Sequence, residues 1–205
     1  MPTIVPIVEG YGEVQAVPEL VRRVLQHHQA YEILVDHAIR QPRSQLAKEG
    51  TFKAVVAVAR KQPDCSAILV VFDADEACPA DLALQLLRWG TDQLGDFPLW
   101  VVIAKQEYEA WLIASIETLR GRRNIRPDVA PPADVEVIRD AKGWLSAQMP
   151  ASIKYSETSD QAALTAALDF RLAHRRSPSF RKLWRDLTRL TNHLHGSFID
   201  LPELE

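Results

Sequence analysis

AILVVFDADE, residues Ala67 to Glu76, is the stretch that decides the fold class of this chain. It begins with an uninterrupted apolar run, which is typical of a parallel strand covered by helices on both faces. Two aspartates, Asp73 and Asp75, follow directly where that strand is expected to end. The stretch therefore predicts a buried strand that delivers carboxylates to one edge of a sheet.

Strand-like and helix-like segments alternate on both sides of this stretch. The strand-like segments are short and apolar, and they are predicted at Thr3–Val8, Tyr31–Val35, Ala67–Phe72 and Phe97–Ala104. The helix-like segments have apolar residues at helical spacing, and they are predicted at Glu13–Gln29, Thr51–Gln62, Asp81–Leu94 and Glu107–Leu119. This alternation predicts an α/β fold, with a mostly parallel four-stranded sheet flanked by helices and right-handed crossovers. Pro6 counts against the first strand, because proline cannot donate a hydrogen bond to a ladder.

The pattern changes after Leu119. Residues 120–134, RGRRNIRPDVAPPAD, are rich in arginine and proline, which predicts an exposed connection. Shorter helical segments are predicted after it, at Val135–Met149, Asp160–His174 and Ser179–Leu190. Ser177 followed by Pro178 is typical of a helix N-cap with proline at the first helical position. We therefore expect an α/β core at residues 1–119 and, at residues 120–205, an arginine-rich connection and a helical appendage packed on that core.

The bulk composition is that of an ordinary globular protein. The chain has 205 residues, of which 47% are hydrophobic and 25% charged. No apolar run approaches the roughly 20 residues needed to cross a bilayer, and the N-terminus lacks the basic flank of a secretory signal. Two cysteines give neither a disulfide framework nor a zinc pattern. We expect a cytoplasmic protein with no membrane association.

The charges are distributed unevenly although the net charge is only -3. Basic residues crowd the second half of the chain, while the acids of interest all lie before residue 110. Such asymmetry can indicate a polyanionic partner. The candidates for contact with nucleic acid are Arg122, Arg123, Arg175, Arg176, Arg181 and Lys182. The alternative, that these side chains only solvate helix faces, is about equally compatible with the sequence.

Carboxylates follow three of the predicted strands at the point where each strand ends. The residues are Glu9, the pair Asp73 and Asp75, and the pair Glu107 and Glu109. The two aspartates are expected to point to one side, because residues i and i+2 of a strand share a face. Ligand sites of parallel α/β sheets form outside the carboxyl ends of the strands, so we expect these acids to meet at one edge. The alternative is a set of unrelated helix caps and turn residues.

VEGYGE, residues 8–13, raises the question of what binds at the first strand end. Its two glycines suggest a phosphate-binding turn, but Gln15 replaces the third glycine of the dinucleotide fingerprint and no P-loop motif occurs. Glu9 and Glu13 would repel a bare phosphate. They are tolerable together if they share hard divalent cations such as Mg²⁺ or Mn²⁺. The glycines would then keep the turn open for a metal-bound phosphate, and two ions about 4 Å apart could support phosphodiester cleavage.

The motifs VEGYGE and VVFDADE together resemble the TOPRIM domain, the metal-dependent catalytic domain of topoisomerases, bacterial primases and several nucleases. The resemblance implies that Glu9, Asp73 and Asp75 are catalytic metal ligands. It further implies a second metal site with Glu13 and Glu109, and with Glu107 nearby. The nuclease branch also uses a lysine to stabilise the charged transition state. The catalytic lysine is then expected to be Lys142, with Lys154 as the second choice.

Later motifs narrow the resemblance. IAKQEYEAWL, DAKGWL and SPSFRKL are similar to a family of small TOPRIM-like bacterial proteins related to the nuclease domain of the overcoming-lysogenisation-defect (OLD) ATPase-nucleases. The resemblance implies a Mg²⁺- or Mn²⁺-dependent nuclease in nucleic-acid processing or anti-phage defence, with a possible AAA- or ABC-type ATPase partner. Two alternatives stay open. One is a non-catalytic module that binds an ATPase or nucleic acid, and the other is a hydrolase or phosphotransfer enzyme for small phosphorylated molecules.

Overall fold

The computed structural model describes residues 1–196 and 204 and shows a parallel sheet between two layers of helices. The strands of the described residues are β1 (Thr3–Val8), β2 (Leu34–Val35), β3 (Ile39–Arg40), β4 (Cys65–Asp73) and β5 (Leu99–Ala104). The strand order is β2-β1-β4-β5, and β3 pairs with β1 as well. All of these pairings are parallel. The predicted α/β class with a mostly parallel, helix-flanked sheet is therefore confirmed.

The predicted number of four strands was wrong, because the second strand is divided. In place of Tyr31–Val35, β2 pairs with the start of β1 and β3 with its end. Pro6 explains the gap. The carbonyls of Ile4 and Val8 accept hydrogen bonds from this side, so Pro6 faces the same side and has no N–H to offer there. Its missing donor falls between β2 and β3, which is why a proline is tolerated in a buried strand.

The helices lie between and after the strands. In the described residues they are α1 (Glu13–His27), α2 (Arg43–Leu46), α3 (Glu49–Arg60), α4 (Pro79–Leu94), α5 (Glu109–Ala114), α6 (Ile116–Leu119), α7 (Ala141–Ala147), a π-helix (Glu157–Gln161), α8 (Ala162–Thr165), α9 (Phe170–Arg176) and α10 (Pro178–His195). The C-terminal helix predicted at Ser179–Leu190 is present as α10, and it extends further, to His195. Ser177 caps α10 by accepting a hydrogen bond from the Phe180 amide (3.1 Å), and Pro178 occupies the first turn.

Three predicted helices differ from the structure, each for a local reason. The segment 107–119 starts only at Glu109 and is interrupted at Ser115, which separates α5 from α6. The segment 135–149 is reduced to α7, because the Asp140 carboxylate accepts a hydrogen bond from the Gly143 amide and starts the helix there. The segment 160–174 is replaced by the π-helix, α8 and α9, and Asp169 caps the last of these.

Each face of the sheet has its own hydrophobic core. Helices α3 and α4 cover one face, around the fully buried Phe52 and Leu86. Helix α1 and the C-terminal helices cover the other face, around Trp111 and Phe180. Residues after 119 thus share a hydrophobic core with α1. The boundary between the α/β core and the appendage at residues 119 and 120 stays a prediction. Residues 197–203 and 205 of the expected appendage lie outside the described part.

The connection after α6 was expected to be exposed and is only partly so. Residues 120–134 include Ile125 and Val129, which are 1% and 3% exposed and belong to the core of α1. The arginines of this connection are exposed, as expected. The connection is therefore anchored by apolar side chains that the arginine- and proline-rich composition obscured.

Candidate functional site

The sheet brings strand-end carboxylates together at its carboxyl edge. Glu9 follows β1, Glu13 begins α1, Asp73 ends β4 and Glu109 begins α5. Glu13, Asp73 and Glu109 are 4%, 3% and 0% exposed, and Glu9 is half-buried. Their charges act on one another, since Glu13, Glu109 and Glu9 all raise the pKa of Asp73. The edge is thus a cluster of four acids, which we call the acid cluster.

Glu13 turns back to cap the loop that precedes its own helix. Its Oε2 accepts hydrogen bonds from the amides of Glu9 (3.0 Å) and Gly10 (3.2 Å). Burial raises the pKa of Glu13 to about 8, and the charge of Glu9 acts in the same direction, while the two amides oppose them. The carboxylate is therefore held in place by the turn and disfavoured as an anion by its surroundings.

Asp73 and Glu9 lie at the ends of neighbouring strands. Asp73 Oδ1 accepts a hydrogen bond from the Tyr108 amide (2.8 Å), and burial raises the pKa of Asp73 well above its usual range. Burial also raises the pKa of Glu9, against the opposing charge of Arg43. Oε2 of Glu9 is buried and accepts no hydrogen bond from the described residues.

Glu109 is the most deeply buried member of the acid cluster. Its Oε1 accepts hydrogen bonds from the Tyr155 hydroxyl (2.8 Å) and the Gln161 side-chain amide (3.2 Å). Its Oε2 accepts none from the described residues and lies 3.9 Å from Lys142 Nζ. Burial raises the pKa of Glu109 to about 7, although Lys142 and Tyr155 lower it. Half of the carboxylate is fixed, and the other half faces a cation.

Lys142 is the cation of the cluster, and α7 positions it. Its ammonium lies 3.9 Å from Glu109 and 3.4 Å from Glu157, and its backbone amide donates to Glu107 Oε2 (3.3 Å). Burial alone would lower the pKa of Lys142, but the charges of Glu109, Asp73 and Glu107 outweigh it and raise that pKa. Lys154, the second choice for a catalytic lysine, is exposed. The structure thus places Lys142 among the acids.

Asp75 does not continue the strand beside Asp73, contrary to the expectation from strand alternation. β4 ends at Asp73, and Asp75 has a φ of 49° in the following turn. Its carboxylate is exposed and forms an ion pair with Arg43. Arg43 also donates to the Ala74 carbonyl (2.7 Å) and acts electrostatically on Glu9. Asp75 therefore lies at the rim of the acid cluster, and Arg43 links the two.

The expected opening of the glycine turn is occupied by protein at Gly12. A Cβ on Gly12 would overlap the Gln161 side chain and the Glu157 carbonyl, whereas a Cβ on Gly10 would find ordinary contact distances. Gly12 is thus explained by the close approach of the π-helix rather than by room for a ligand. The turn remains open only at Gly10.

Three residues of the site were not predicted from the sequence: Arg43, Tyr155 and Gln161. Tyr155 and Gln161 reach Glu109 across 46 and 52 residues of sequence. No spacing rule connects residues so far apart. Arg43 comes from the short helix α2 and follows no recognisable motif. Only the fold shows that these three side chains serve the site.

The chemistry of the acid cluster fits a hard divalent cation. All donors are carboxylate oxygens, the ligand type that Mg²⁺ prefers, and the buried Oε2 atoms of Glu9 and Glu109 accept no hydrogen bond from the described residues. The arrangement is not preformed. In residues 1–196 and 204, no three His, Cys, Asp or Glu side chains are positioned as a metal-binding group. Glu13 and Asp73 accept hydrogen bonds from backbone amides instead.

The six basic residues considered for nucleic-acid binding are not equivalent. Arg176 pairs with Glu117 through two contacts of 2.6 and 2.7 Å, and Lys182 pairs with Asp186 (2.5 Å). Both therefore have a structural role, and binding of nucleic acid by them stays a prediction. Arg123 bonds Asp160 of the π-helix (2.8 Å). The exposed members are Arg122, Arg123, Arg175 and Arg181.

Comparison with known proteins identifies a family. A family model described as a domain of unknown function, DUF4276, matches residues 8–188, so the chain belongs to the DUF4276 family. A search of curated proteins found no match. Among the described residues, no helix is both long and apolar enough to span a membrane.

Two solved structures resemble this chain. One is the C-terminal region of the OLD protein of Xanthomonas campestris pv. campestris, with 14% identity, a TM-score of 0.45 and coverage of 94% of this chain and 97% of that one. The other is the C-terminal region of the OLD protein of Burkholderia pseudomallei, with 14% identity, a TM-score of 0.37 and coverage of 92% and 98%.

Proposed function

We propose that this chain is a divalent-metal-dependent nuclease with a TOPRIM-like site. The observation that carries the proposal is the acid cluster itself, in which Glu9, Glu13, Asp73 and Glu109 converge at the edge of a parallel sheet where ligands bind. The order of the motifs VEGYGE and VVFDADE supports the same assignment.

The electrostatics of the acid cluster supports a role for a bound cation. Four carboxylates share the edge, and burial is the first cause of the raised pKa of each. Such an arrangement disfavours the metal-free anionic state and is relieved by divalent charge. In the proposal, Glu9, Asp73 and Asp75 hold Mg²⁺ or Mn²⁺, Glu13 and Glu109 contribute to a second site, and Glu107 lies nearby. The metal, when bound, supplies Lewis-acid polarisation and an activated water.

The basic side chains of the site have a separate task. Lys142, whose raised pKa keeps it positive, would neutralise charge that develops on the phosphate during cleavage. Arg43 would orient Asp75 and limit the repulsion at Glu9. Arg122, Arg123, Arg175, Arg176, Arg181 and Lys182 remain the proposed contacts to the nucleic-acid backbone. A role in nucleic-acid processing or anti-phage defence, with an AAA- or ABC-type ATPase partner, is proposed on the sequence resemblance alone.

One observation favours a second candidate, a non-catalytic interaction module. The carboxylates of Glu13 and Asp73 are satisfied by backbone amides, and no described group of acids is set as a metal cage. A site that has lost its metal-binding function would have this arrangement if its acids now served only to cap turns. Against this candidate, caps do not require four acids in one buried place, where each disfavours the others.

A cleavage assay separates the two candidates. The purified chain is incubated with single- and double-stranded DNA and RNA, with Mg²⁺, with Mn²⁺ or with EDTA. We expect metal-dependent cleavage of at least one polymer. Asp73→Asn should reduce the rate by at least about 100-fold, because several kcal/mol of metal-derived stabilisation are lost. The substitution keeps an oxygen for the Tyr108 amide, so the fold is preserved.

Asp64→Asn is the matched control. Asp64 precedes β4 at its opposite end and has a φ of 57°, a conformation that asparagine tolerates. It should cleave like the wild type. Retained cleavage by Asp73→Asn would contradict the proposed site. Hydrolysis of a small phosphate ester but of none of the polymers would instead support the small-molecule alternative.

A further inference from the structure

An aromatic ring projects into solvent directly beside the acid cluster. Tyr11 lies in the turn between Glu9 and Glu13 and is 64% exposed. The rest of this turn is held tightly, since the Glu13 carboxylate accepts two of its amides. A rigid turn therefore presents an exposed ring next to the proposed position of the scissile phosphate.

Arg40 fixes this ring from one side. The guanidinium carbon of Arg40 lies 3.7 Å from the centroid of the Tyr11 ring, and Nη1 of Arg40 donates to the Glu9 carbonyl (3.2 Å). Arg40 is the last residue of β3, in register with Val8 at the end of β1. The arginine is thus anchored to the sheet and to the turn at once. It covers one part of the ring and leaves the remainder open.

Of the three arginine–aromatic contacts in the described residues, the pair of Arg40 and Tyr11 is the one whose ring is exposed. Arginine over tyrosine is a favourable cation–π contact, and it adds positive charge to the edge that already carries Arg43 and Lys142 beside the acids. A ring with one covered face and one open face is what base-stacking platforms of single-strand-binding proteins present, often with arginine beside it. Stacking on such a ring is tolerant of sequence because every base has a π-face.

We infer that Tyr11 and Arg40 form a stacking platform for an unpaired nucleobase adjacent to the phosphate at the acid cluster. The inference rests on the proposed function and deepens it by naming the substrate class, a single-stranded or frayed polynucleotide. Arg40 also faces the phosphate backbone of that strand with its charge. A base inside a duplex is already stacked and paired, so a duplex cannot use the platform without local opening.

The test measures binding by fluorescence anisotropy with the full chain, in EDTA and in Ca²⁺. The probes are a short oligothymidylate, an abasic chain of the same length, an oligouridylate and a duplex. We expect the wild type to bind oligothymidylate about tenfold more tightly than the abasic chain, the size of one stacking contact. Tyr11→Ala should abolish this preference and leave affinity for the abasic chain unchanged, while Tyr11→Phe should retain the preference.

Tyr31→Ala is the matched control, because Tyr31 is 71% exposed and precedes β2 at the opposite edge of the sheet. It should bind every probe like the wild type. Equal affinity of the wild type and Tyr11→Ala for oligothymidylate would overturn the platform. So would an equal loss of affinity for the abasic chain, since the ring would then act on the turn and not on a base.

The outcomes separate the platform from the nuclease. A base preference that depends on Tyr11, without cleavage in Mg²⁺ or Mn²⁺, would support the platform and reject the nuclease. Metal-dependent cleavage with no effect of Tyr11→Ala on binding would support the nuclease and reject the platform. Preference for oligouridylate over oligothymidylate would identify RNA as the source of the base.

Discussion

Helix α1 has a buried titratable side chain at each end. The two side chains are similarly buried, but they differ in their hydrogen bonds and in their neighbours. Glu13 begins the helix and is 4% exposed, while His28 caps its other end and is 3% exposed. Glu13 has two backbone donors and three acidic neighbours. Neither ring nitrogen of His28 has a hydrogen-bond partner among the described residues, and its ring meets Trp184 edge-on with centroids 5.1 Å apart.

Burial moves both groups toward their neutral forms. It raises the pKa of Glu13 to about 8 and lowers the pKa of His28 to about 4. A pKa displaced by burial is therefore no sign of function by itself. The start of α1 is distinguished by its neighbours. They are acids whose carboxylate oxygens are partly without hydrogen bonds, and a lysine beside one of them. The end of α1 has aromatic packing around His28 and no acid cluster among the described residues.

The largest expected effect concerns Glu13 in the metal-free protein. Because the pKa of folded Glu13 lies above the ordinary 4.5, its contribution to stability is complete below pH 4.5 and is lost as the pH rises through 8. Between pH 5 and 8, the free energy of unfolding should fall by about 3 kcal/mol more for the wild type than for Glu13→Gln. Urea denaturation in EDTA measures this difference.

Glutamine keeps an oxygen for the two backbone amides, so Glu13→Gln tests the charge alone. Glu19→Gln, further along the same helix, is the control and should follow the wild type. Parallel pH profiles of the wild type and Glu13→Gln would mean that burial and the neighbouring acids do not raise the pKa of Glu13 in the folded protein. The proposed difference between the two ends of α1 would then not hold for Glu13.

At acid pH, we expect His28 to make the free energy of unfolding depend on pH. Because burial depresses the pKa of folded His28 from 6.5 to about 4, its contribution is present above pH 6.5 and is lost as the pH falls toward 4. The wild type should lose about 2 kcal/mol more than His28→Phe over this range. Urea denaturation at acid pH provides the measurement. The exposed His37, replaced by phenylalanine, is the control, and an effect of equal size there would refute the assignment.

A smaller effect is expected from the donor that serves Glu109. Tyr155→Phe removes the hydrogen bond to Glu109 Oε1 and should lower the free energy of unfolding by about 1.5 kcal/mol at pH 8. The loss should shrink at pH 5, because burial places the pKa of Glu109 at about 7 and the neutral acid needs the donor less. Tyr31→Phe, at an exposed tyrosine, should have no effect. A loss that is independent of pH would separate Tyr155 from the charge of Glu109.

The strands of the sheet could be predicted from the sequence only where a strand has a clear apolar pattern of its own. β4 is a continuous apolar run and was found directly, whereas β2 and β3 are two residues each and exist because β1 offers them an edge. Short strands of this kind depend on the partner and not on local propensity. The π-helix at Glu157–Gln161 likewise had no local signal.

The candidate site was predictable where it follows strand ends. Glu9, Asp73 and Glu109 meet because parallel strands bring their carboxyl ends to one edge. Asp75 was misplaced, since strand alternation ceases to apply once β4 ends at Asp73. Tyr155 and Arg43 were not predicted. Tertiary packing makes contacts between distant parts of the chain, and such contacts produce no regular spacing in the sequence.

Calorimetric titration of Mg²⁺ and Mn²⁺ into the wild type, Asp73→Asn and Asp64→Asn tests whether the acid cluster binds a metal ion. We expect saturable binding to the wild type and to Asp64→Asn, and its loss in Asp73→Asn, because the proposed ion lies at the carboxyl edge of β4 and not at its amino edge. A short oligonucleotide is added in a second series to complete the coordination shell. Absence of binding to the wild type in both series, or undiminished binding to Asp73→Asn, would rule out a metal site at the acid cluster.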